Sequence, residues 1–282
     1  MGMLSINTNV GAIKAADAAY SVNKSMETSM QRLSSGKRIN SAIDDAAGLQ
    51  ISQRLTAEIR GFNQAARNAA DAQSLLATAE GAYGEIHNIL QRLREIAVQG
   101  ASGTNSTADR TALNSEVSSL EAEINRIAND TTWGGIQLMT GTQDSGVFTF
   151  QVGPDGGSAF SDQIVHTLPD VNDHTASGTY ALTGDVTTRA NASSYIAMAD
   201  TAISFVGTER EQIGAVMNRL DHTMANLTNM STNLSLAKGR IEDADFAAES
   251  ANLARTQVLQ QASMSMLAQA NASKQNILAL FQ

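Results

Sequence analysis

The side chains of this sequence that could carry out chemistry are scattered along it and form no recognisable catalytic pattern. The chain contains no cysteine, which excludes thiolate nucleophiles, thiolate metal sites and disulfides. The four histidines, none of which belongs to the His-Glu-x-x-His pattern of zinc enzymes, are His87, His166, His174 and His222. We expect them to be exposed or incidental. We predict that the chain is not an enzyme and has no catalytic residue, cofactor or metal site.

Two groups of neighbouring carboxylates are the remaining candidates for chemistry. One is Asp44 with Asp45, and the other is Glu242 with Asp243 and Asp245. Neighbouring carboxylates can hold a cation, but both groups stand next to predicted helix starts. A negative charge there interacts favourably with the exposed backbone N–H groups of the first turn. We therefore interpret both groups as structural.

The composition is typical of long helices rather than of an enzyme core. Hydrophobic residues make up 42% of the chain, whereas aromatic residues make up 4% and there are 2 prolines. The net charge of -9 repels nucleic acid phosphates and anionic membrane surfaces, so neither is an expected partner. No apolar run is long enough for membrane insertion, and we find no ordinary secretory signal.

Apolar residues recur at helical spacing in the first part of the chain. In residues 4–33 they form one stripe that includes Val22, Met26, Met30 and Leu33. After the break at Ser34-Ser35-Gly36, Ser41 is predicted to cap a very long helix that runs to about Gln99. A turn-rich loop at residues 100–110, with Ser, Thr and Asp side chains suited to capping, leads into another helix.

The middle of the chain changes to the alternation of a strand. Residues 147–152 alternate in hydrophobicity, and the glycine-rich turn at 153–157 leads to a return strand at 164–168, which predicts a β-hairpin. The glycine pairs at 134–135 and 156–157 fit neither a P-loop nor a dinucleotide-binding fingerprint. We interpret them as turns.

The helical pattern returns near Ala192, breaks at Gly239 and resumes at about Asp243. We predict a mainly α fold, with long antiparallel helices forming a terminal coiled coil and a helical bundle, and a small central β-hairpin region. The predicted domains are residues 1–40 with 243–282 for the coiled coil, 41–140 with 190–242 for the bundle, and 141–189 for the hairpin and surface loops. Narrow terminal stripes predict folding against neighbouring copies.

Two long motifs at opposite ends of the chain resemble the signatures of bacterial flagellins. INTNVGAI is followed by QRLSSGKRINSAIDDAAGLQIS at residues 31–52, and ESANLARTQVLQQASMSMLAQANASKQNILALF occupies residues 249–281. The chain is thus similar to a short flagellin without the large outer domains. The resemblance implies a structural subunit that polymerises into the extracellular filament of the bacterial flagellum for swimming motility. The alternatives are a hook–filament junction protein and a flagellin-like surface protein that binds glycans.

The resemblance also implies partners. The first is the chain itself, as a homopolymer. By this resemblance, the subunit is secreted by type III export with the help of a chaperone. It is added to the filament beneath a cap protein at the tip, and hook-junction proteins lie at the base of the filament. The side chains that we assign to filament packing come from both ends of the chain and are Ile6, Val10, Ile13, Leu259, Met266, Leu267, Ile277, Leu278 and Phe281.

A further segment, LQRLREIAVQ at residues 90–99, is similar to the one through which a Toll-like receptor of animal hosts detects flagellins. The resemblance places Arg92, Ile96 and Glu116 at the positions that the receptor recognises. The same three residues also fit a second interpretation, as surface and packing residues of the bundle.

Overall fold

The computed structural model describes residues 8–154, 162–171, 182 and 184–279, and all structural statements concern these residues. The helices are α1 (Val10–Ser35), α2 (Ala46–Ala101), α3 (Thr107–Asp130), α4 (Arg189–Glu242) and α5 (Phe246–Ala279). Two antiparallel hairpins pair β1 (Thr132–Trp133) with β2 (Ile136–Gln137) and β3 (Val147–Gln151) with β4 (Gln163–Thr167). The predicted mainly α fold with a small central β region is confirmed.

The chain divides into two compact units, which we describe separately. Unit 1 consists of Met1–Ala57 and Thr232–Gln282, and unit 2 consists of Glu58–Ser231. The divisions fall inside α2 and α4, whereas the boundaries predicted from the sequence lie near residues 40 and 243. The apolar side chains of the hairpin of β3 and β4 belong to the core of unit 2.

The start of α2 differs from the prediction. Ser41 is not its cap, because the helix begins at Ala46 and Asp45 takes that role. The Asp45 carboxylate accepts the backbone N–H of Gly48 at 2.8 Å, and its carbonyl accepts that of Leu49 at 3.0 Å. Aspartate caps helices as well as serine does. Ser41 instead belongs to a separate turn that satisfies its own polar groups.

The predicted break at Gly239 is also absent, since α4 continues to Glu242. One glycine costs a helix only about 1 kcal/mol, which a long packed helix tolerates. The chain turns after Glu242, and Asp245 caps α5 by accepting the backbone N–H groups of Ala247 at 2.9 Å and Ala248 at 3.2 Å.

The loop between α2 and α3 follows the prediction. Ser106 precedes α3 and forms a capping box with Asp109, in which each side chain accepts the backbone N–H of the other residue. The Ser106 hydroxyl also donates to the Asp109 carboxylate at 2.7 Å. This bond, followed by the one from the Ser106 backbone N–H, lowers the pKa of Asp109. The carboxylate therefore stays ionised at the positive end of the helix.

The core of unit 2 is built from α2, α3, α4 and the two hairpins. Phe148 pairs with His166 and Phe150 pairs with Ile164, as expected for the predicted hairpin. The largest fully buried side chains of the unit 2 core are Leu76, Tyr83, Ile86, Leu90, Leu93, Ile96, Ile124, Leu138, Met139, Leu168, Tyr195 and Ile213. Most are aliphatic, in agreement with the low aromatic content.

Candidate assembly surface

Helices α1 and α5 pack side by side in unit 1. The polar contacts between them include Asn9 Nδ2 with Ala270 O at 3.2 Å, Gln260 Nε2 with Asn23 Oδ1 at 2.7 Å, and Arg32 with Glu249 at 3.8 Å. Residue numbers fall along α5 as they rise along α1, so the two helices are antiparallel. This is the terminal helix pair that the sequence predicts.

Four of the side chains that we assigned to filament packing are exposed on this pair. The exposed fraction is 52% for Val10, 52% for Ile13, 45% for Leu259 and 65% for Met266, whereas Leu267 is half-buried. Ile6 and Phe281 lie outside the described residues. Ile277 and Leu278 lie in α5, but their side chains are outside the description.

Exposed large apolar side chains are distributed unequally between the two units. In the described residues of unit 1 they are Val10, Ile13, Tyr20, Met30, Ile43, Ile51, Leu236, Phe246, Val258, Leu259, Met264 and Met266. In those of unit 2, the larger unit, they are only Val98, Val147, Val165 and Met230. Concentrated exposed apolar surface marks a site of protein–protein contact.

A buried carboxylate connects three segments of unit 1. Glu242 lies at the end of α4, and its side chain is only 10% exposed. It accepts hydrogen bonds from Lys37 Nζ at 2.5 Å and Ser52 Oγ at 2.5 Å, and Lys238 lies 3.6 Å away. Arg38 N donates to the Glu242 carbonyl at 2.7 Å. The bond from Lys37, followed by that from Ser52, lowers the pKa of Glu242.

Three of the other carboxylates singled out from the sequence have structural roles. Asp45 and Asp245 cap α2 and α5, and Asp44 closes the turn that precedes α2. Glu242 is an exception to the prediction, since it ends a helix rather than starting one. In the part of the chain that the structure describes, no group of three His, Asp or Glu side chains is arranged to hold a metal ion.

His166 departs from the expectation of exposure. It is buried in β4, and its Nε2 has no hydrogen-bond partner among the described residues. Burial lowers the pKa of the imidazole, which favours the neutral ring. His222 is exposed, and His174 lies outside the described residues. His87 is half-buried, and its Nδ1 has no hydrogen-bond partner among the described residues. None of the described helices has the length and apolarity needed to cross a membrane.

The segment similar to the receptor-recognised one lies on α2 in unit 2. Arg92 Nη2 and Nε contact Glu116 Oε1 of α3 at 2.8 and 3.1 Å, and Arg92 Nη1 contacts Glu95 at 3.1 Å. The side chains of Arg92 and Glu116 are about half exposed. Ile96 is fully buried in the core. The structure thus brings two of the three predicted residues together at the surface and places the third beneath it.

The sequence matches known proteins at both ends. Residues 6–144 match the bacterial flagellin N-terminal helical region, and residues 196–281 match the bacterial flagellin C-terminal helical region. A flagellin of Halalkalibacterium halodurans is 42% identical over 278 residues, which cover 98% of this chain and 99% of that protein. Flagellin D of Vibrio anguillarum is 35% identical over 375 aligned positions, which cover 98% of this chain and 99% of that protein.

Solved structures are similar to this one as well, and two of them show the extent of the likeness. The crystal structure of Bacillus cereus flagellin has a TM-score of 0.50 and 34% identity, covering 61% of this chain and 94% of that one. A protein described as a flagellar hook-associated protein from Vibrio parahaemolyticus has a TM-score of 0.58 and covers 71% of this chain and 100% of that one. At 17% identity, that second similarity shows the fold alone. The chain therefore belongs to the bacterial flagellin family and is a structural subunit of the extracellular flagellar filament.

Proposed function

We propose that copies of this chain are joined in the filament mainly through unit 1, whose exposed apolar side chains pack against neighbouring copies. The observation that carries the proposal is the concentration of such side chains on unit 1. Exposure of an apolar side chain to water is unfavourable. Burying it against a neighbouring copy stabilises association by about 25 cal/mol per Å² of apolar surface removed from water. The α1–α5 pair is too thin to bury its own apolar surface, so a neighbouring copy supplies the remaining contact.

The packing residues that we propose are those assigned from the sequence. Val10, Ile13, Leu259 and Met266 are exposed in the single chain and available to a neighbour. Leu267 is half-buried, and it contributes both to the packing within the subunit and to the contact with a neighbouring copy. The remaining four, which are Ile6, Ile277, Leu278 and Phe281, stay predictions from the sequence.

Assembly of point variants tests this proposal. The double variant Ile13→Ser/Leu259→Ser removes one apolar side chain from α1 and one from α5, and both are exposed, so the monomer should fold normally. We expect the critical concentration for filament growth on sheared seeds to rise roughly tenfold or more. Sedimentation and electron microscopy provide the measurement.

The control variant makes the same change in the other unit. Val147→Ser/Val165→Ser replaces two exposed apolar side chains of β3 and β4. We expect it to assemble like the parent chain. If the two double variants had equal critical concentrations, packing through unit 1 would be disproved.

We propose, in addition, that the subunit is secreted through the type III export apparatus, carried by an export chaperone and added beneath a cap protein beyond the hook-junction proteins. The resemblance to flagellins suggests these partners, and the exposed apolar side chains of α5 offer the chaperone a surface. The chaperone should therefore copurify with the parent chain but not with the double variant Leu259→Ser/Met266→Ser. Equal capture of both chains would argue against binding at α5.

We also propose that the subunit is detected by a host Toll-like receptor through Arg92 and Glu116. The buried Ile96 side chain holds α2 in position by packing in the core. The ion pair between α2 and α3 holds both polar groups in one place at the surface. We expect Arg92→Ala monomer to stimulate receptor-bearing cells at least tenfold less than the parent, because a charge-assisted bond contributes about 1.5–3 kcal/mol.

Another ion-paired arginine of unit 2 provides the matched control. Arg126 is exposed on α3 and contacts Glu123 and Asp130, outside the similar segment. Arg126→Ala should stimulate the cells like the parent. A parental response from Arg92→Ala would remove the receptor proposal.

A further inference from the structure

The segment between α1 and α2 carries an isoleucine that lies almost entirely in water. Ile43 is 96% exposed, the highest value among the large apolar side chains of the described residues. Ile39, four residues earlier in the same segment, is only 2% exposed. The same short segment therefore buries one isoleucine in unit 1 and presents the other outward.

The turn that presents Ile43 is held by its own hydrogen bonds. Asp44 Oδ2 accepts the backbone N–H of Asn40 at 3.0 Å, and that of Ser41 at 2.9 Å together with its hydroxyl at 3.1 Å. Asp44 N donates to Ser41 O at 3.1 Å, and Asp45 caps the following helix. The conformation around Ile43 is thus fixed before any partner arrives.

A single exposed apolar side chain needs no explanation by itself. Ile43 differs in two respects. It sits at the tip of a fixed turn, and it belongs to the unit on which exposed apolar side chains are concentrated. The three hydrogen bonds that the Asp44 carboxylate accepts are made within the turn, so contact of Ile43 with a partner does not require them to break.

We propose that Ile43 is a preorganised anchor that inserts into apolar surface on a second copy of the chain. The inference rests on the proposed packing of unit 1 between copies and adds a residue that the sequence reading did not assign to it. A second copy is the occupant because every copy carries the exposed apolar side chains of α1 and α5. Anchors that are rigid before binding lose little conformational entropy, which makes them dominant contributors to an interface.

The first test compares two substitutions at the same position. Ile43→Ser should raise the critical concentration for seeded growth roughly tenfold or more, whereas Ile43→Met, which keeps the apolar volume, should stay within threefold of the parent. Thermal unfolding of the monomers should be unchanged, because the side chain lies in water. Assembly of Ile43→Ser at the parental critical concentration would overturn the inference.

The second test uses the absence of cysteine from the chain. The thiol of the variant I43C is then unique, and its reaction with a small maleimide can be timed in monomers and in filaments. We expect the reaction to be at least tenfold slower in filaments. Equal rates would overturn the inference while leaving filament formation intact, whereas a parent chain that failed to grow on seeds would instead count against the proposed function.

Discussion

Glu242 is a buried carboxylate whose two hydrogen-bond donors come from distant parts of the sequence. Lys37 and Ser52 both contact it, although more than 150 residues separate each of them from it. The sequence shows Glu242 only as part of an acidic run and suggests a helix start. The spacing of a single sequence does not show which lysine a carboxylate will meet. The capping residue Asp245 was predictable, because its partners are its own neighbours in the chain.

The lowered pKa of Glu242 predicts how the stability of unit 1 depends on pH. Its pKa in the folded chain lies below the ordinary glutamate value of about 4.5, so its stabilising contribution is complete above that value and is lost as the pH falls through the folded pKa. The free energy of unfolding of Glu242→Gln should be about 1–3 kcal/mol lower than that of the parent near pH 7. It should also fall less than that of the parent when the pH is lowered. Thermal unfolding followed by circular dichroism at several pH values measures both effects.

Another glutamate of α4 serves as the control. Glu211 is exposed, so Glu211→Gln should change the stability at pH 7 by no more than about 0.5 kcal/mol. If Glu242→Gln showed the same acid dependence as the parent, the carboxylate would not be the group that titrates.

Helix α2 shows how the same residue type has different roles along one element. A Cβ added to Gly48 would collide with the Asp45 carboxylate and lie 2.7 Å from Ile39 Cδ1, whereas one added to Gly81 would meet nothing within 4 Å. Gly48 is therefore required by the close packing of the cap, and Gly81 is not. The sequence does not distinguish these two glycines, since both lie within a continuous helical pattern.

Replacing each glycine by alanine should therefore change stability in opposite directions. Gly48→Ala displaces the Asp45 cap and should destabilise the chain by about 1–2 kcal/mol. Gly81→Ala should stabilise it by up to about 1 kcal/mol, because alanine favours the helix and restricts the unfolded chain. Chemical denaturation of the two variants measures the difference. Shifts of the same sign would contradict the packing at Gly48.

Some elements could be predicted from the sequence and others could not. Long periodic stripes identified the helices, and alternation identified the hairpin of β3 and β4. The short hairpin of β1 and β2 has too few residues for a periodic signal. Its turn, at Gly134 and Gly135, was recognised, and both glycines have the positive φ values, 59° and 86°, that a tight two-residue hairpin requires.

At the scale of the whole molecule, charge and apolar exposure oppose each other. Each copy has a net charge of -9, so copies repel, while the exposed apolar side chains of unit 1 favour association. The boundaries of the units are a separate matter. They could not be predicted, because they fall inside the helices α2 and α4, where the periodic pattern shows no break.

The balance between charge repulsion and apolar contact predicts a dependence of assembly on salt. Raising sodium chloride from about 0.05 M to about 0.5 M shortens the screening length and should lower the critical concentration of the parent roughly threefold or more. Light scattering during seeded growth provides the measurement. A critical concentration that rose with salt would show that ion pairs, rather than apolar contacts, dominate the interface.

The antiparallel pairing of α1 with α5 has a consequence for timing. The hydrogen bond from Asn9 to Ala270 joins residues 261 positions apart, so α1 cannot pair with α5 until nearly the whole chain has been synthesised. Unit 2 consists of one continuous stretch and can fold earlier. A chain cut short by premature termination would keep α1 but lack α5. Under the proposed packing through unit 1, the helix pair would act as a length check, because a chain without α5 could not form the α1–α5 surface that meets the next copy.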